Sequence, residues 1–453
     1  MNIYNLLMKE KNKTNIAIIG ATRGYGYTLL SQIPNIKQIK LEAICSQNVK
    51  NCVDVLLEVG YKQEEIEVCK TIADVNNAKK NTVKVVSDYK LVLELKINSV
   101  VECTGSLSLG LDLSEKALLK NINVYMVSKE TDSVCGEYLS ELANSTGSIY
   151  SLVNGDQPKN LIDLYEWGKI NGLDIICIGK SSEYDLIFNR ENNTLRFSNE
   201  DSKIYDGSNF ENLLKYKDIT TLKKRKKIIS DLESNSADLC EMNLVSNATG
   251  FIPDIPTLHY PIARISELAE IYIPVEEGGI LNKNKVVDVF IQVREEDEAS
   301  FAGGVFIVFK CNNNKVWQTL KEKGHLVNNN LNYGCIYLPY HIMGVESALT
   351  ILTGDLLKIS NINKYTQKSI MIGEAIEDIE EGRTLFVEGH HHSIKSLAPR
   401  LIEFEKAKDF VPFYLLNKSK INKIVKKGQC IRFEDVEINE KTALLKYKEI
   451  NQI

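Results

Sequence analysis

The sequence predicts an α/β protein of three domains, of which the first is a parallel sheet with helices on both faces. In the first 150 residues, short β-rich runs alternate with helical patterns, as they do in βαβ units. These strands are apolar along their whole length, which is typical of strands buried on both faces. The chain has 453 residues, and at roughly 100–200 residues per domain it should form two or three domains.

The elements of the first domain follow from these runs in order. A strand over residues 15–19 ends in a glycine-rich turn, and a helical pattern covers residues 27–33. Further strands are predicted at 41–45, 83–86, 99–102 and 123–127, with a helix at 111–119 before the last of them. We therefore expect the first domain to end near residue 150.

The rest of the chain divides at a change of character near residue 346. Residues 151–345 continue the alternation with longer polar insertions, which predicts a mixed α/β catalytic or substrate domain. Residues 346–453 show short strands and polar turns, with few long helical periods. A third, β-rich domain is expected there.

Composition excludes several classes of protein. The 55 Lys and Arg residues against 60 Asp and Glu give a net charge of −5, which argues against a dedicated nucleic-acid binder. No apolar run reaches the roughly 18–20 residues of a membrane span, and the N-terminal residues lack the apolar core of a signal peptide. The ten cysteines are scattered without a CxxC pair, which suits reduced thiols. We expect a cytoplasmic protein with neither nucleic-acid nor membrane partners.

The turn after the first strand predicts a dinucleotide site. Gly20, Gly24 and Gly26 let the backbone pass close to a pyrophosphate, whose charge would meet the free N–H groups that open the next helix. Thr22 and Tyr25 occupy the second and third glycine positions of the usual GxGxxG pattern. A simple tight turn is the alternative. The strand–turn–helix context favours a Rossmann domain.

The end of the second strand indicates which nicotinamide cofactor is used. NAD enzymes usually carry Asp or Glu there to hold the ribose 2′-hydroxyl, whereas this strand ends in Ser46. Without that carboxylate, and with Arg23 and Lys50 available to attract a 2′-phosphate, NADP(H) is favoured over NAD(H).

Several motifs together carry a family resemblance. They are the runs at 100–105 and 127–132, the Asn-Gly-Asp-Gln-Pro run at 154–158, the Glu-Met pair at 241–242 and the Tyr-His-Ile-Met-Gly-Val-Glu run at 340–346. This series resembles the SAF-domain family of predicted homoserine dehydrogenases. That family also contains the 1-deoxy-D-xylulose 5-phosphate reductoisomerase-like enzymes. The resemblance implies a C-terminal SAF-like domain and a homo-oligomer.

The glycine turn, the second strand and the resemblance together yield one set of cofactor-binding candidates. It comprises Gly20, Thr22, Arg23, Gly24, Tyr25, Ser46, Cys103, Thr104, Gly105 and Glu130. For Glu130, a cap of the following helix is the alternative role.

Two lysines are candidates for proton transfer beside a nicotinamide. Lys180 closes an apolar strand, at an edge where open α/β sheets bind ligands. Partial burial would lower its pKa, and its cation would polarise a carbonyl oxygen. Lys129 falls where the related enzymes carry Asn-Lys, although Ser128 replaces the asparagine. The alternative for Lys180 is a solvated strand-end lysine, and for Lys129 it is a lysine that contacts only the cofactor or solvent.

The resemblance adds three further catalytic candidates. Asp156 lies at a turn where true reductoisomerases present two acids to a divalent metal, but Gln157 replaces one of them. We therefore expect both to bind substrate hydroxyls, with no required metal. Glu241 is the third, with a helix-surface carboxylate as the alternative. The Asp-Gly-Thr-Lys run of the family is replaced here by Ser-Asn-Ser-Ala at 234–237, which indicates a changed substrate or lost activity.

These observations predict an NAD(P)H-dependent oxidoreductase that acts on a small polar hydroxy or carbonyl compound, for example a sugar phosphate. Two alternatives remain open. One is a homoserine dehydrogenase-type activity on an amino-acid semialdehyde. The other is a non-catalytic NAD(P)-binding sensor or assembly protein, which the changed glycine pattern and the missing lysine favour.

Overall fold

A computed structural model describes residues 2–199, 202–229, 234–360 and 365–453. The chain forms two compact units. The first comprises Met1–Lys159, Ile342–Tyr365 and Glu440–Ile453, and the second Asn160–His341 and Thr366–Asn439. Among the described residues, no helix is both long and apolar enough to cross a membrane.

The helices and strands are numbered in chain order. The helices are α1 (Ile3–Lys9), α2 (Gly24–Gln32), α3 (Val49–Glu58), α4 (Ile72–Asn77), α5 (Tyr89–Val92), α6 (Leu107–Leu119), α7 (Lys129–Thr146), α8 (Gln157–Ile170), α9 (Ile219–Ile228), α10 (Ser236–Thr249), α11 (Leu268–Ile271), α12 (Asn314–Glu322), α13 (Ser347–Leu357) and α14 (Lys441–Asn451). The strands are β1 (Thr14–Ile19), β2 (Ile39–Cys45), β3 (Ile66–Val68), β4 (Val83–Val86), β5 (Ser99–Glu102), β6 (Asn123–Met126), β7 (Tyr150–Leu152), β8 (Asp174–Ser181), β9 (Leu186–Asn189), β10 (Thr194–Phe197), β11 (Ile204–Asp206), β12 (Ile252–Pro253), β13 (Ile262–Ala263), β14 (Val286–Glu295), β15 (Val305–Lys310), β16 (Leu326–Val327), β17 (Tyr333–Leu338), β18 (Ser369–Ala375), β19 (Leu397–Glu403), β20 (Lys420–Ile421) and β21 (Val436–Glu437).

The first unit is built on a seven-stranded parallel sheet in the order β3-β4-β2-β1-β5-β6-β7. Strands β4, β5 and β6 are buried along their whole length, as their apolar sequences predict. The chain crosses from β1 to β2 on one side, while β5 lies on the other side of β1. This reversal creates the crevice at which open α/β sheets bind ligands. The prediction of a parallel, Rossmann-like sheet is confirmed.

The second unit contains a larger sheet of mixed direction. Its strands run in the order β11-β10-β9-β14-β8-β15-β17-β16, and β12 and β13 also pair with β14. The long strand β14 is parallel to β8 and β9, whereas β15 is antiparallel to β8. Helix α10 packs on this sheet and on the antiparallel pair β18–β19. The mixed α/β character predicted for the middle of the chain is therefore observed.

The C-terminal region differs from the predicted run of short strands in containing two eleven-residue helices. Helices α13 and α14 both belong to the first unit, and the short strands lie between them. Asp355 of α13 explains why the chain returns there. Its carboxylate accepts hydrogen bonds from Ser99 Oγ, Asn123 Nδ2 and Tyr125 OH, each at 2.7 Å, and from the Thr14 hydroxyl. One buried side chain thus ties α13 to β1, β5 and β6.

Candidate functional site

The turn that joins β1 to α2 requires glycine for two structural reasons. Gly20 has φ 87°, and a Cβ there would lie 2.8 Å from the carbonyl oxygen of Cys103. A Cβ on Gly26 would lie 2.4 Å from the carbonyl oxygen of Gly20. Arg23, which precedes α2, is extended and provides no side-chain cap. The N–H groups that open α2 are therefore not satisfied by a capping side chain, an arrangement that attracts an anion.

A cavity of about 410 Å³ lies beside this turn at the carboxyl ends of the strands. Six of the predicted cofactor-binding residues line it, namely Gly20, Thr22, Arg23, Ser46, Cys103 and Thr104. Ser87, Asp88 and Tyr89, which follow β4, also line it and were not predicted. Lys50, to which the sequence assigned attraction of a 2′-phosphate, is exposed on α3 outside this lining.

The other four cofactor-binding candidates do not line the cavity. Gly24 and Gly105 supply positive φ angles of 54° and 69°. Glu130 is largely buried in the first turn of α7. Tyr25 points into the protein, where its hydroxyl donates to the Asn154 carbonyl oxygen at 2.6 Å and accepts from Ser347 Oγ at 2.9 Å.

Tyr25 connects the glycine turn to the turn that carries Asp156. Burial raises the pKa of its hydroxyl well above the usual value, so the hydroxyl stays protonated. Thr350 of α13 completes the attachment, because its Oγ accepts from Asn154 N at 2.9 Å and donates to Asn154 Oδ1 at 2.6 Å. The hydroxyl of Tyr25 therefore supports the Asp156 turn.

Lys129 and Asp156 come together at the edge of the sheet where β6 and β7 end. Lys129 opens α7, and its Nζ lies 3.3 Å from Asp156 Oδ1. Both side chains remain partly accessible, at 25% and 16%. Gly105 N donates to Ser128 Oγ at 2.7 Å, which fixes the start of α7 against the turn that contributes Thr104 to the cavity. An accessible cation and its carboxylate thus adjoin the predicted cofactor site.

Gln157 and Glu102 complete the polar surroundings. The backbone N–H of Gln157 donates to Asp156 Oδ1 at 3.0 Å, while the buried side-chain Oε1 of Gln157 has no hydrogen-bond partner among the described residues. Glu102, at the end of β5, is fully buried and accepts from Thr104 N at 2.9 Å. Burial raises the pKa of Glu102 to about 7, against the opposing effect of the Ser128 and Thr104 hydroxyls. The sequence signal for Glu102 was a charged residue that ends a buried strand.

Lys180 and Glu241 meet in the interior of the second unit. Lys180 Nζ donates to Asp238 Oδ1 at 2.6 Å and also to Glu241 Oε2. The three side chains are between 1% and 5% exposed. Ser182 Oγ and Tyr260 OH donate to the other oxygen of Asp238 at 2.7 and 3.0 Å. The carboxylate at 238 lies one residue beyond the Ser-Asn-Ser-Ala run that lacks the family's acid and lysine.

The expected lowering of the Lys180 pKa is wrong. Burial by itself lowers the pKa of this ammonium, but the charges and hydrogen bonds of Asp238 and Glu241 outweigh burial and raise it. Lys180 is therefore a permanent buried cation at neutral pH. The expectation considered burial alone, because no local pattern indicates that two carboxylates 58 and 61 residues away face this lysine.

Two further features bear on ligands. Among the described residues, no group of three or more His, Cys, Asp or Glu side chains could hold a metal ion. A cavity of about 710 Å³ in the second unit is lined by side chains of both charges, among them Arg190, Lys215, Arg264 and Glu270. None of the predicted site residues lines this second cavity.

Comparison with known families provides the first independent indication of chemistry. Residues 155–347 match the family described as oxidoreductase DRL, catalytic domain. The match covers less than half of the chain and includes Asp156, Lys180 and Glu241. No curated protein sequence matches the chain.

Solved structures that resemble the chain include a reductoisomerase, an oxidoreductase and a dehydrogenase. 1-Deoxy-D-xylulose 5-phosphate reductoisomerase from Zymomonas mobilis in complex with NADPH is 16% identical over 38% of this chain and 46% of its own, with a TM-score of 0.29. An oxidoreductase from Agrobacterium radiobacter in complex with NAD+, L-tartaric acid and magnesium is 13% identical over 49% and 56%, at 0.27. Myo-inositol dehydrogenase from Corynebacterium glutamicum is 14% identical over 38% and 46%, also at 0.27. The chain spans about half the length of these proteins.

The match to an oxidoreductase catalytic domain bears on the function classes that the sequence left open. It favours an enzyme over a non-catalytic nucleotide-binding protein, and it leaves the substrate unspecified. Residues 155–347 thus resemble the catalytic domain of the DRL oxidoreductases.

Proposed function

We propose that the protein is an NADP(H)-dependent oxidoreductase that reduces a small, polar, hydroxylated carbonyl compound, or oxidises the corresponding alcohol. The observation that carries this proposal is the Lys129–Asp156 pair beside the cavity at the carboxyl ends of β1 and β5. A cavity lined by the glycine turn and a partly accessible lysine occur there together.

The residues of the first unit fit a nicotinamide dinucleotide. The glycine turn leaves no room for side chains at Gly20 and Gly26, and the N–H groups of α2 are available for a pyrophosphate. Arg23 provides a cation in the cavity lining, and Ser46 leaves the end of β2 without a carboxylate. These two residues support the preference for NADP(H).

A bound nicotinamide would supply or accept the hydride at the carbonyl carbon. Lys129 donates a proton from Nζ to the carbonyl oxygen as the hydroxyl forms, and it takes a proton from that hydroxyl in the opposite direction. Asp156 holds the ammonium in place and, with Gln157, binds neighbouring substrate hydroxyls. Lys180 and Glu241 are less suited to this step, because their charges are already satisfied in the interior.

The polarity of this site supports the proposed substrate class. Partly accessible charges at Lys129 and Asp156 suit a compound with several hydroxyl groups, such as a sugar phosphate. An amino-acid semialdehyde, as in homoserine dehydrogenases, is the alternative substrate. Oxidation of NADPH by the full-length protein, followed at 340 nm against aldoses, ketoses, their phosphates and amino-acid semialdehydes, distinguishes the two classes.

Lys129→Met tests the role of Lys129 in that assay. Removal of a general acid should lower turnover by roughly 10²–10⁴-fold, while NADPH binding should change by less than about threefold. Lys120→Met is the matched control, because Lys120 lies at the surface of the first unit, where it bonds Glu94 and the Leu93 carbonyl oxygen. Turnover by Lys129→Met at the wild-type rate would contradict the assignment. Loss of activity with a chelator would instead indicate a metal-dependent reductoisomerase.

The remaining features of the proposal concern organisation. We propose three functional segments, a Rossmann domain at 1–150, a catalytic domain at 151–345 and an SAF-like domain at 346–453. The resemblance supports the SAF assignment and a homo-oligomer, which sedimentation of the purified protein tests. All ten cysteines are free thiols, in keeping with the proposed cytoplasmic location.

A further inference from the structure

Asp88 brings a carboxylate into the cofactor cavity from a strand that the usual dinucleotide pattern does not use. The order β3-β4-β2-β1 places β4 directly beside β2. Ser46 N donates to the Val86 carbonyl oxygen at 3.2 Å, which holds the ends of the two strands together. Ser46, Gln47, Ser87 and Asp88 consequently line the same cavity, with the glycine turn also contributing to its wall.

The carboxylate of Asp88 is available to a ligand. Asp88 is exposed, and its Oδ1 caps α5 by accepting from Lys90 N at 2.9 Å. Among the described residues, no ion pair joins Asp88 to a lysine, arginine or histidine. Arg23 is the cation in the lining of this cavity. A negative and a positive side chain therefore face one site. Asp88 would repel a 2′-phosphate there, and Arg23 would attract it.

We propose that Asp88 is a cofactor-specificity residue that acts against Arg23, and this inference rests on the proposed function. Its carboxylate accepts a hydrogen bond from the adenosine ribose 2′-hydroxyl of NAD(H) and repels the 2′-phosphate of NADP(H). Arg23 acts in the opposite direction. The role usually filled by an acid at the end of the second strand is thus supplied from the neighbouring strand, and it limits the NADP(H) preference that Arg23 and Ser46 create.

Asp88→Asn isolates the charge, because asparagine caps a helix as well as aspartate does. Titration of full-length protein with NADPH and with NADH, followed by nicotinamide fluorescence, yields the ratio of the two dissociation constants. The variant should bind NADPH about tenfold more tightly, since a like charge close to the phosphate is removed. NADH binding should stay equal or weaken. Adenosine 2′,5′-bisphosphate and 5′-AMP, which lack the nicotinamide, serve as competitors. The variant should bind the 2′,5′-bisphosphate more tightly than wild-type protein does, and 5′-AMP equally or more weakly.

Asp74→Asn is the matched control. Asp74 is exposed, accepts backbone N–H groups in a capping box of α4, and lies outside the cavity lining. Asp74→Asn changes the net charge by the same amount as Asp88→Asn and should leave the dissociation constants of NADPH and NADH unchanged. If Asp88→Asn leaves the NADPH-to-NADH ratio at the wild-type value, the inference is overturned and the proposed function stands. If wild-type protein binds neither dinucleotide, the proposed function fails together with it.

Discussion

Replacement of Lys180 by methionine should destabilise the second unit severely, whatever role the residue has in the reaction. The methionine side chain has a similar length and fills the same space, so the change removes a charge and little volume. Asp238 and Glu241 would then be two buried carboxylates without their shared cation. The cost arises from these unpaired charges.

The magnitude follows from the contacts. Lys180 Nζ makes two charge-assisted hydrogen bonds inside the protein, each worth about 1.5–3 kcal/mol. Their sum agrees with the roughly 3–5 kcal/mol that removal of one partner from a buried ion pair costs. The triple variant Lys180→Met, Asp238→Asn, Glu241→Gln carries no buried charge at these three positions. It should recover at least half of the lost free energy of unfolding, because a neutral replacement of a buried ion group is often tolerated.

Tryptophan fluorescence measures the unfolding of the second unit, to which Lys180 belongs. The chain has two tryptophans, and both Trp167 and Trp317 belong to the second unit. Urea unfolding excited at 295 nm therefore reports on that unit alone, which avoids treating two units as one transition. Lys120→Met, a surface change in the first unit, should leave the tryptophan-monitored midpoint unchanged.

The outcome separates two roles for Lys180. A loss of less than about 1 kcal/mol for Lys180→Met would refute the reasoning, since it would mean that the carboxylates are not held by this cation. A triple variant as unstable as the single one would also contradict it. If the triple variant is folded and still oxidises NADPH with a substrate, Lys180 is a structural residue and not a catalytic one.

Two other predictions concern the first unit. The pKa of Glu102 is about 7 in the folded protein, above its ordinary value of 4.5, so the folded protein binds a proton at this carboxyl more tightly than the unfolded chain does. The contribution of Glu102 to the free energy of unfolding therefore falls by about 3 kcal/mol as pH rises from 4.5 to 7. Glu102→Gln should abolish that slope in far-UV circular dichroism melts and be the more stable protein at pH 8; an unchanged slope would contradict the assignment. Asp355→Ala leaves four buried donors without their acceptor. Hydrogen exchange of the β1 amides should therefore show that the free energy of unfolding falls by about 4 kcal/mol or more, and by about half as much for Asp355→Asn. Exchange at the wild-type rate would contradict the role of Asp355 in holding α13 to the sheet.

The local sequence pattern was sufficient to predict most strands of the first sheet. The largely apolar runs at 15–19, 83–86 and 99–102 are strands within one residue of the observed bounds, because strands buried on both faces need mostly apolar sequence. Lys129 follows the strand predicted at 123–127, whereas Asp156 follows β7, which was not predicted. The two strands are parallel neighbours, so their carboxyl ends share an edge.

Contacts between residues distant in sequence could not be predicted from local sequence patterns. The partners of Lys180 lie 58 and 61 residues away, so its raised pKa has no local signal. The position of Asp88 depends on β4 pairing with β2, and hydrophobic periodicity does not define strand order. Helix α13 returns to the first unit through the buried carboxylate of Asp355, 256 residues from Ser99.

The central claim is that a nicotinamide dinucleotide binds at the glycine turn of the first unit, and a substitution at Thr22 tests it most directly. Thr22 lines the cavity and is only partly buried, so Asp and Asn both fit, and the two differ by one charge. Titration with NADPH, followed by nicotinamide fluorescence, should show binding to wild-type protein, at least about tenfold weaker binding to Thr22→Asp, and near wild-type binding to Thr22→Asn. Equal affinity of all three proteins, or no binding of NADPH or NADH to wild-type protein, would contradict the claim.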